Sequence, residues 1–389
     1  MRALAILFFC GCLATGCVGP GARSSPPVSG GVEIEAAVLE RSRIEQQQIR
    51  DENRLYRNPR LSGYLNRIAR RLQPPGSLRI QVFVLEDPRV NAFAYPDGSI
   101  YVHTGLLACL ENEAQLAAVL AHEVAHCTEQ HALKVFKRKA GQTVTVSAIN
   151  EDPDATGSLR RRNPLQDAER PSSAFSGYCR RLELEADRVG LDLLVNAHYD
   201  PKESLAAFRR LAAGMLPEGA EEPVLRAARR LLAERLTALR KRLADAARSN
   251  RSGMVNQARF LAHIRPVFLE NAWLELKMGR LASAAVTAQK YYRLKPGDAR
   301  AHFLLGEIAR QQGGAKNSER ALAHYRKSIS LDPNFAEPHK ASGLIHFKAG
   351  HKQLAKKHFD ACLSMSPTRN DDAYIRDYIR QCNVTGEDS

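Results

Sequence analysis

Aromatic residues are scarce: Phe, Trp and Tyr make up 6% of 389 residues, and tryptophan occurs once. A platform for single-stranded nucleic acid needs aromatic rings interleaved with basic side chains. No such interleaving is found. The net charge of +15, from 57 Lys and Arg against 42 Asp and Glu, is therefore not read as a nucleic-acid footprint. It fits simple solubility or an anionic envelope surface. Long apolar runs are missing too. Ala3–Phe9 is too short to span a bilayer, which takes about 20 residues, and no later stretch is apolar enough. Cysteine is sparse beyond the N-terminus. Cys10, Cys12 and Cys17 lie at the start, leaving Cys109, Cys127, Cys179, Cys362 and Cys382. An odd number cannot all pair. Cys362 and Cys382 either form a bridge in an oxidising compartment or stay as buried thiols. No C-x-x-C occurs, so a cysteine zinc site is not supported.

What is present is ordinary globular material, 44% apolar and 25% charged, long enough for two or three domains. Residues 1–16 read as a signal peptide, with Arg2 as the positive region and Ala3–Phe9 as the apolar core. The end, L-A-T-G-C, resembles a bacterial lipoprotein cleavage box, which implies lipidation of Cys17. The usual leucine three before the cysteine is Ala14 here, so an ordinary signal peptide is the alternative. Val18, rather than aspartate, follows the cysteine; by the same resemblance that implies the outer membrane. Residues 17–32 are rich in Gly, Pro and Ser and read as a flexible tether.

The chemistry concentrates in A-Q-L-A-A-V-L-A-H-E-V-A-H, Ala114–His126. His122 and His126 are four apart, so on a helix both imidazoles leave one face, about 6 Å apart along the axis. Two ligands of one tetrahedral zinc need that arrangement. Glu123 sits beside the first ligand and can serve a water at the metal as general base. A structural histidine pair is the bland alternative. The apolar run before it argues against that reading, because a buried helix carrying His, Glu and His is costly unless something satisfies them.

Around this helix the sequence predicts helices over 33–57 and 59–73, a strand over 79–85, and a hairpin over 91–103 turning at Pro96-Asp97-Gly98. A short helix spans 105–110. Asn112 then caps the active helix, with Gln115 closing a capping box, and the helix runs to about Lys137. A metzincin would need histidine at position 132 and glycine at 129; Ala132 and Glu129 stand there. His131, five residues after His126, should point away from the site on a continuous helix, and reads as structural or surface.

N-A-F-A-Y-P-D-G-S-I-Y-V-H-T-G-L-L followed by N-E-A-Q-L-A-A-V-L-A-H-E-V-A-H resembles the HtpX-like and CaaX-prenyl-protease-like zinc metallopeptidase family. Its soluble periplasmic members are nearest in layout. The resemblance implies a mostly α, gluzincin-type metallopeptidase domain with a small β-sheet over about 33–250, holding one zinc ion. It implies that Asn91, Ala92, Phe93, Ala94 and Tyr95 form a strand that pairs with extended substrate. L-E-L-E-A-D, within residues 182–187, resembles the family's E-x-x-A-D segment. That makes Glu183 the third zinc ligand and Asp187 the carboxylate that holds a ligand histidine. A surface-paired acidic helix is the alternative. Glu185 reads as solvated. A-E-R-L, residues 233–236, keeps the family's arginine, so Arg235 is a candidate oxyanion stabiliser. The family's preceding His-Pro pair is replaced by Arg229 and Arg230. Where the family has apolar helices, residues 141–177 are polar and read as a mobile loop or lid. Residues 222–248 read as a basic helix, with either a solvated face or a patch for lipid or partner.

From about 255 to 389 the pattern changes to helix pairs. Leu-Lys-Pro, Leu-Asp-Pro and Met-Ser-Pro end at Pro296, Pro333 and Pro367, steps of 37 and 34 residues. The latter is the tetratricopeptide period. Gly306 and Gly343 occupy matching places, the first unit near Trp273 is degenerate, and 371–381 reads as a cap. An α-helical TPR solenoid follows, with a plain bundle as the alternative. Such arrays bind proteins. The resulting expectation is a lipid-anchored periplasmic zinc endopeptidase at the inner face of the outer membrane. Its expected partners are protein or peptide substrates and an envelope protein or outer-membrane assembly complex on the repeats. A chaperone-like scaffold with incidental proteolysis is the competing expectation.

Overall fold

The computed structural model describes residues 31–138, 173–215, 222–247, 253–365 and 372–383. The signal segment, Cys17, most of the tether, Pro367 and the greater part of the 141–177 stretch lie outside the described residues. The chain divides into two compact units, Met1–Ile264 and Arg265–Ser389.

The first unit opens with α1 (Gly31–Asp51) and α2 (Pro59–Leu72). The first helix is shorter than the sequence predicts. It stops at Asp51, and the chain turns through Asn53 at φ 50°. Residues 54–56 then run beside the end of β1 (Gln81–Leu85): Tyr56 N–H donates to Val84 O at 2.9 Å and Glu86 N–H to Arg54 O at 2.8 Å. Sheet pairing there replaces the last helical turns. Asn58 caps α2 through the Leu61 N–H, with Pro59 at the first helical position.

The hairpin forms where its turn residues lie. β2 (Ala92–Ala94) runs antiparallel to β3 (Ser99–His103), and β1 lies parallel to β3 on the other side, giving the order β1-β3-β2. Gly98 takes φ +86°, which a side chain rarely adopts, and Asp97 Oδ1 accepts the Ser99 N–H at 3.0 Å.

A short α3 (Thr104–Cys109) leads to α4 (Glu113–Thr128). Every α4 residue from Glu113 to Cys127 is buried. A helix enclosed on all sides is a core helix, not an amphipathic one. It packs against α2, β2, α6 (Ser173–Asn196) and α7 (Lys202–Met215). Asn112 caps it as expected, accepting the Gln115 N–H at 2.8 Å, while Gln115 Oε1 reaches back to the Glu111 N–H at 2.9 Å. Both side-chain amides donate to Glu203 on α7 at 2.8 Å, so cap and neighbouring helix are one network. α4 does not run on to Lys137. It ends at Thr128, Gln130 takes φ 53°, and a new helical stretch, α5, covers 131–138. α6 begins at Ser173, so the last five residues read as loop are helical, Gly177 among them. α8 (Glu222–Ala247) packs on α6 and α7, burying Arg235 and Leu239 and leaving Arg229, Arg230, Arg240, Lys241 and Arg242 exposed.

α9 (Gln257–Lys277) crosses the division between units. The second unit continues with α10 (Leu281–Leu294), the pairs α11 (Ala299–Gln312) with α12 (Ala315–Leu331) and α13 (Ala336–Lys348) with α14 (Lys352–Met365), and α15 (Asp372–Asn383). A Cβ on Gly343 would meet the Phe359 ring 2.6 Å away, and one on Gly306 would strike Tyr325. The glycines are what lets each helix close on its partner. Cys362 and Cys382 lie in one apolar cluster as thiols, not as a bridge.

Candidate metal centre

α4 places His122 and His126 one turn apart, and α6 brings Glu183 onto the same face. Their ligand atoms all lie within 4.8 Å of one another. The two Nε2 atoms are 3.0 Å apart, and Glu183 lies 3.5 Å from His122 Nε2 and 3.7 Å from His126 Nε2. Two metal–nitrogen bonds of about 2.0–2.1 Å at a tetrahedral angle put their nitrogens about 3.3 Å apart. The observed spacings bracket that figure, so the donors fit one small cation. Among the described residues this is the one such group.

Close helix packing brings the third donor in. A Cβ on Gly190 would come within 3.0 Å of the His122 backbone nitrogen. Four residues after Glu183, Asp187 faces His122 Nδ1 at 2.9 Å. Arg235, from α8, donates to both Asp187 oxygens at 2.7 Å, stands 2.8 Å from Glu183 Oε2, and lies over the Phe208 ring at 4.9 Å. The candidate oxyanion arginine is thus engaged with two site acids.

Charge follows from these contacts. Burial opposes the charged form of His122, but the bonds to Asp187 and then Glu183 outweigh it and push its pKa up to about 9. The acids draw positive charge to this spot. Burial lowers His126 well below its ordinary value. Burial also opposes ionisation of Asp187, yet Arg235 and His122 hold it well below the carboxylate range. Glu123 is fully buried, and neither of its carboxylate oxygens has a hydrogen-bond partner. Burial pushes it up to about 8, with His122 and Glu183 close enough to act on it electrostatically. A buried carboxylate of this kind is costly unless a cation or water answers it.

His131 departs from its expected place. It is fully buried, and its Nδ1 is 2.9 Å from His126 Nδ1. The helix break at Gln130 invalidates counting 100° per residue past Thr128. Neither glycine nor asparagine marks that break. Glu185, read as solvated, is only 28% exposed and pairs with His131 and Lys134. Of the strand candidates, Ala92, Phe93 and Ala94 form β2, the edge strand packed against α4, while Asn91 and Tyr95 flank it, paired with His103 and Ser99 through the backbone. Tyr95 O accepts a contact from Cys127 Sγ at 3.5 Å.

Two imidazoles from an H-E-x-x-H helix, joined by a carboxylate from a second helix in a mostly helical domain, define a gluzincin-type metallopeptidase. Residues 56–257 match peptidase family M48, more than half of the chain, and the chain belongs to that family. Residues 299–335 match a tetratricopeptide repeat. A putative beta-barrel assembly-enhancing protease of Vibrio cholerae is 27% identical over 223 residues, 52% of this chain and 45% of that protein. The beta-barrel assembly-enhancing protease of Escherichia coli K12 is 28% identical over 166 residues, 40% and 33% of the two chains. The mitochondrial metalloendopeptidase OMA1 of Schizosaccharomyces pombe is 30% identical over 155 residues, 39% and 44%. The chain thus spans less than half the length of each of these relatives.

Proposed function

We propose that this chain is a zinc-dependent endopeptidase of the bacterial envelope, acting on misfolded or unassembled envelope proteins. One observation carries the reading: the donors of His122, His126 and Glu183 meet at one point, with the unpartnered Glu123 carboxylate buried next to the first of them. Two imidazoles and a carboxylate suit zinc better than magnesium or calcium, which take oxygen donors. A bound zinc ion supplies Lewis acidity, activating water and polarising a carbonyl. Glu123 takes the proton of the attacking water and returns it to the leaving amine. Asp187 orients His122. Arg235 fixes the two acids, and its contacts favour that duty over direct oxyanion stabilisation. β2 offers main-chain groups to an extended peptide, a sequence-tolerant mode of binding.

The envelope assignment rests on the names of the bacterial relatives and on the signal-like start with Cys17 as lipid anchor. No helix among the described residues is long and apolar enough to cross a membrane. The repeats would dock an envelope protein or outer-membrane assembly complex.

Glu123→Gln tests the chemistry. It should retain zinc while hydrolysis of a denatured protein substrate falls by a factor of about 10²–10⁴. Folded chain that binds no zinc, or a variant as fast as the parent, would overturn the reading. The well-formed helix pairs of the second unit favour one competitor, a scaffold. That reading wins if Glu123→Gln retains function in cells while deletion of residues 265–389 abolishes it.

A further inference from the structure

The geometry points to a positioning residue for the metal centre: we propose that His131 accepts the Nδ1–H of His126, fixing that ligand's tautomer and ring plane, with Glu185 orienting His131 in turn. The inference rests on the metal reading above.

An imidazole that offers its Nε2 lone pair to a metal carries its proton on Nδ1. His126 Nε2 faces His122 Nε2, so its Nδ1–H points away from the ligand cluster and needs an acceptor. The atom 2.9 Å away is His131 Nδ1, with the two rings edge to face at 82°. Accepting there leaves His131 with its proton on Nε2. That atom is buried, has no hydrogen-bond partner, and lies 3.5 Å from Glu185 Oε2, an ion-pair distance without hydrogen-bond alignment. Glu185, partly exposed, is the acid that stands next to that ring nitrogen. Lys134 Nζ, 3.4 Å from the other Glu185 oxygen, anchors the chain's outer end. The result is a line from His126 through His131 and Glu185 to Lys134.

The two ligand histidines are therefore backed differently. His122 has a charged carboxylate, Asp187; His126 has a neutral ring. The break at Gln130 makes this reachable, because it returns His131 to the side of α4 that carries the site.

The test uses the full-length chain stripped of metal, with Zn2+ titrated against a competing chelator. His131→Phe keeps a ring but removes the acceptor, and should weaken zinc binding about 10–100-fold. His131→Asn returns an oxygen near the Nδ1 position and should stay within about threefold of the parent. Glu185→Gln should fall between them. Thermal unfolding of the metal-free variants separates positioning from packing. Equal zinc affinity for His131→Phe and the parent overturns the proposal. So does an equal loss in His131→Phe and His131→Asn that follows a fall in metal-free melting temperature. A folded parent chain that binds no zinc sinks the metal reading itself, a result distinct from both.

Discussion

Replacing Asp187 with alanine should weaken metal binding and destabilise the metal-free first unit, by amounts its contacts define. Asp187 takes two hydrogen bonds from Arg235 at 2.7 Å and faces His122 Nδ1 at 2.9 Å. Arg235 is 5% exposed, so loss of the acid strands a buried guanidinium against Glu183 at 2.8 Å. Breaking one side of a buried pair costs about 3–5 kcal/mol, and the surviving Glu183 contact keeps the figure near the lower end. A unit of this size loses about 2–4 °C per kcal/mol, so melting should fall by about 6–12 °C. Freed of its carboxylate, His122 should lose about 10–100-fold in zinc affinity. Asp187→Asn keeps an oxygen for His122 and should show a smaller effect on affinity. The single tryptophan, Trp273, belongs to the second unit, so its fluorescence follows the repeats while far-UV circular dichroism follows both units. The expected loss is read from the far-UV circular-dichroism melt of the metal-free chain. An alanine variant with unchanged zinc affinity and unchanged melting would refute the assigned role of Asp187 in holding Arg235 and His122.

Gly343→Ala should lower the urea midpoint of the repeat unit, because the added Cβ meets the Phe359 ring at 2.6 Å; overpacking of this kind costs about 1–3 kcal/mol. The repeats should also weaken in mild acid. Burial lowers the pKa of His302, His324, His339, His346 and His358, the last to about 4. Between pH 6.5 and 4 the unfolded chain therefore binds more protons than the fold, so stability is present above 6.5 and is lost as pH falls through that window. After discounting for solvent screening, His358 accounts for about 1–2 kcal/mol. Urea titrations followed by Trp273 at pH 7 and pH 5 measure this, and His358→Gln should flatten the difference.

The parts of this molecule that were legible in its sequence are those set by local period. His122 and His126 share a face because four residues make about one helical turn, and Asn112 caps because its side chain reaches a backbone N–H three residues on. The turn at Gly98 needs a residue tolerant of φ +86°, and Gly306 and Gly343 mark helix pairs by the same kind of local logic. The partners that complete the site obey no such period. Only resemblance to a family segment points to Glu183, since nothing local ties α6 to α4. What ties them is Gly190, whose missing side chain lets the backbones approach, and Arg235, whose charge collects two acids from a third helix. His131 escapes sequence reading for the opposite reason. A rule sound within one helix does not hold past Gln130, where a positive φ breaks the helix with no residue type to announce it. The direct ligands are therefore the readable layer of this centre. The groups that orient them depend on helix approach and helix breaks, and a change at Gly190 or Gln130 should disturb the metal as surely as a change at a ligand.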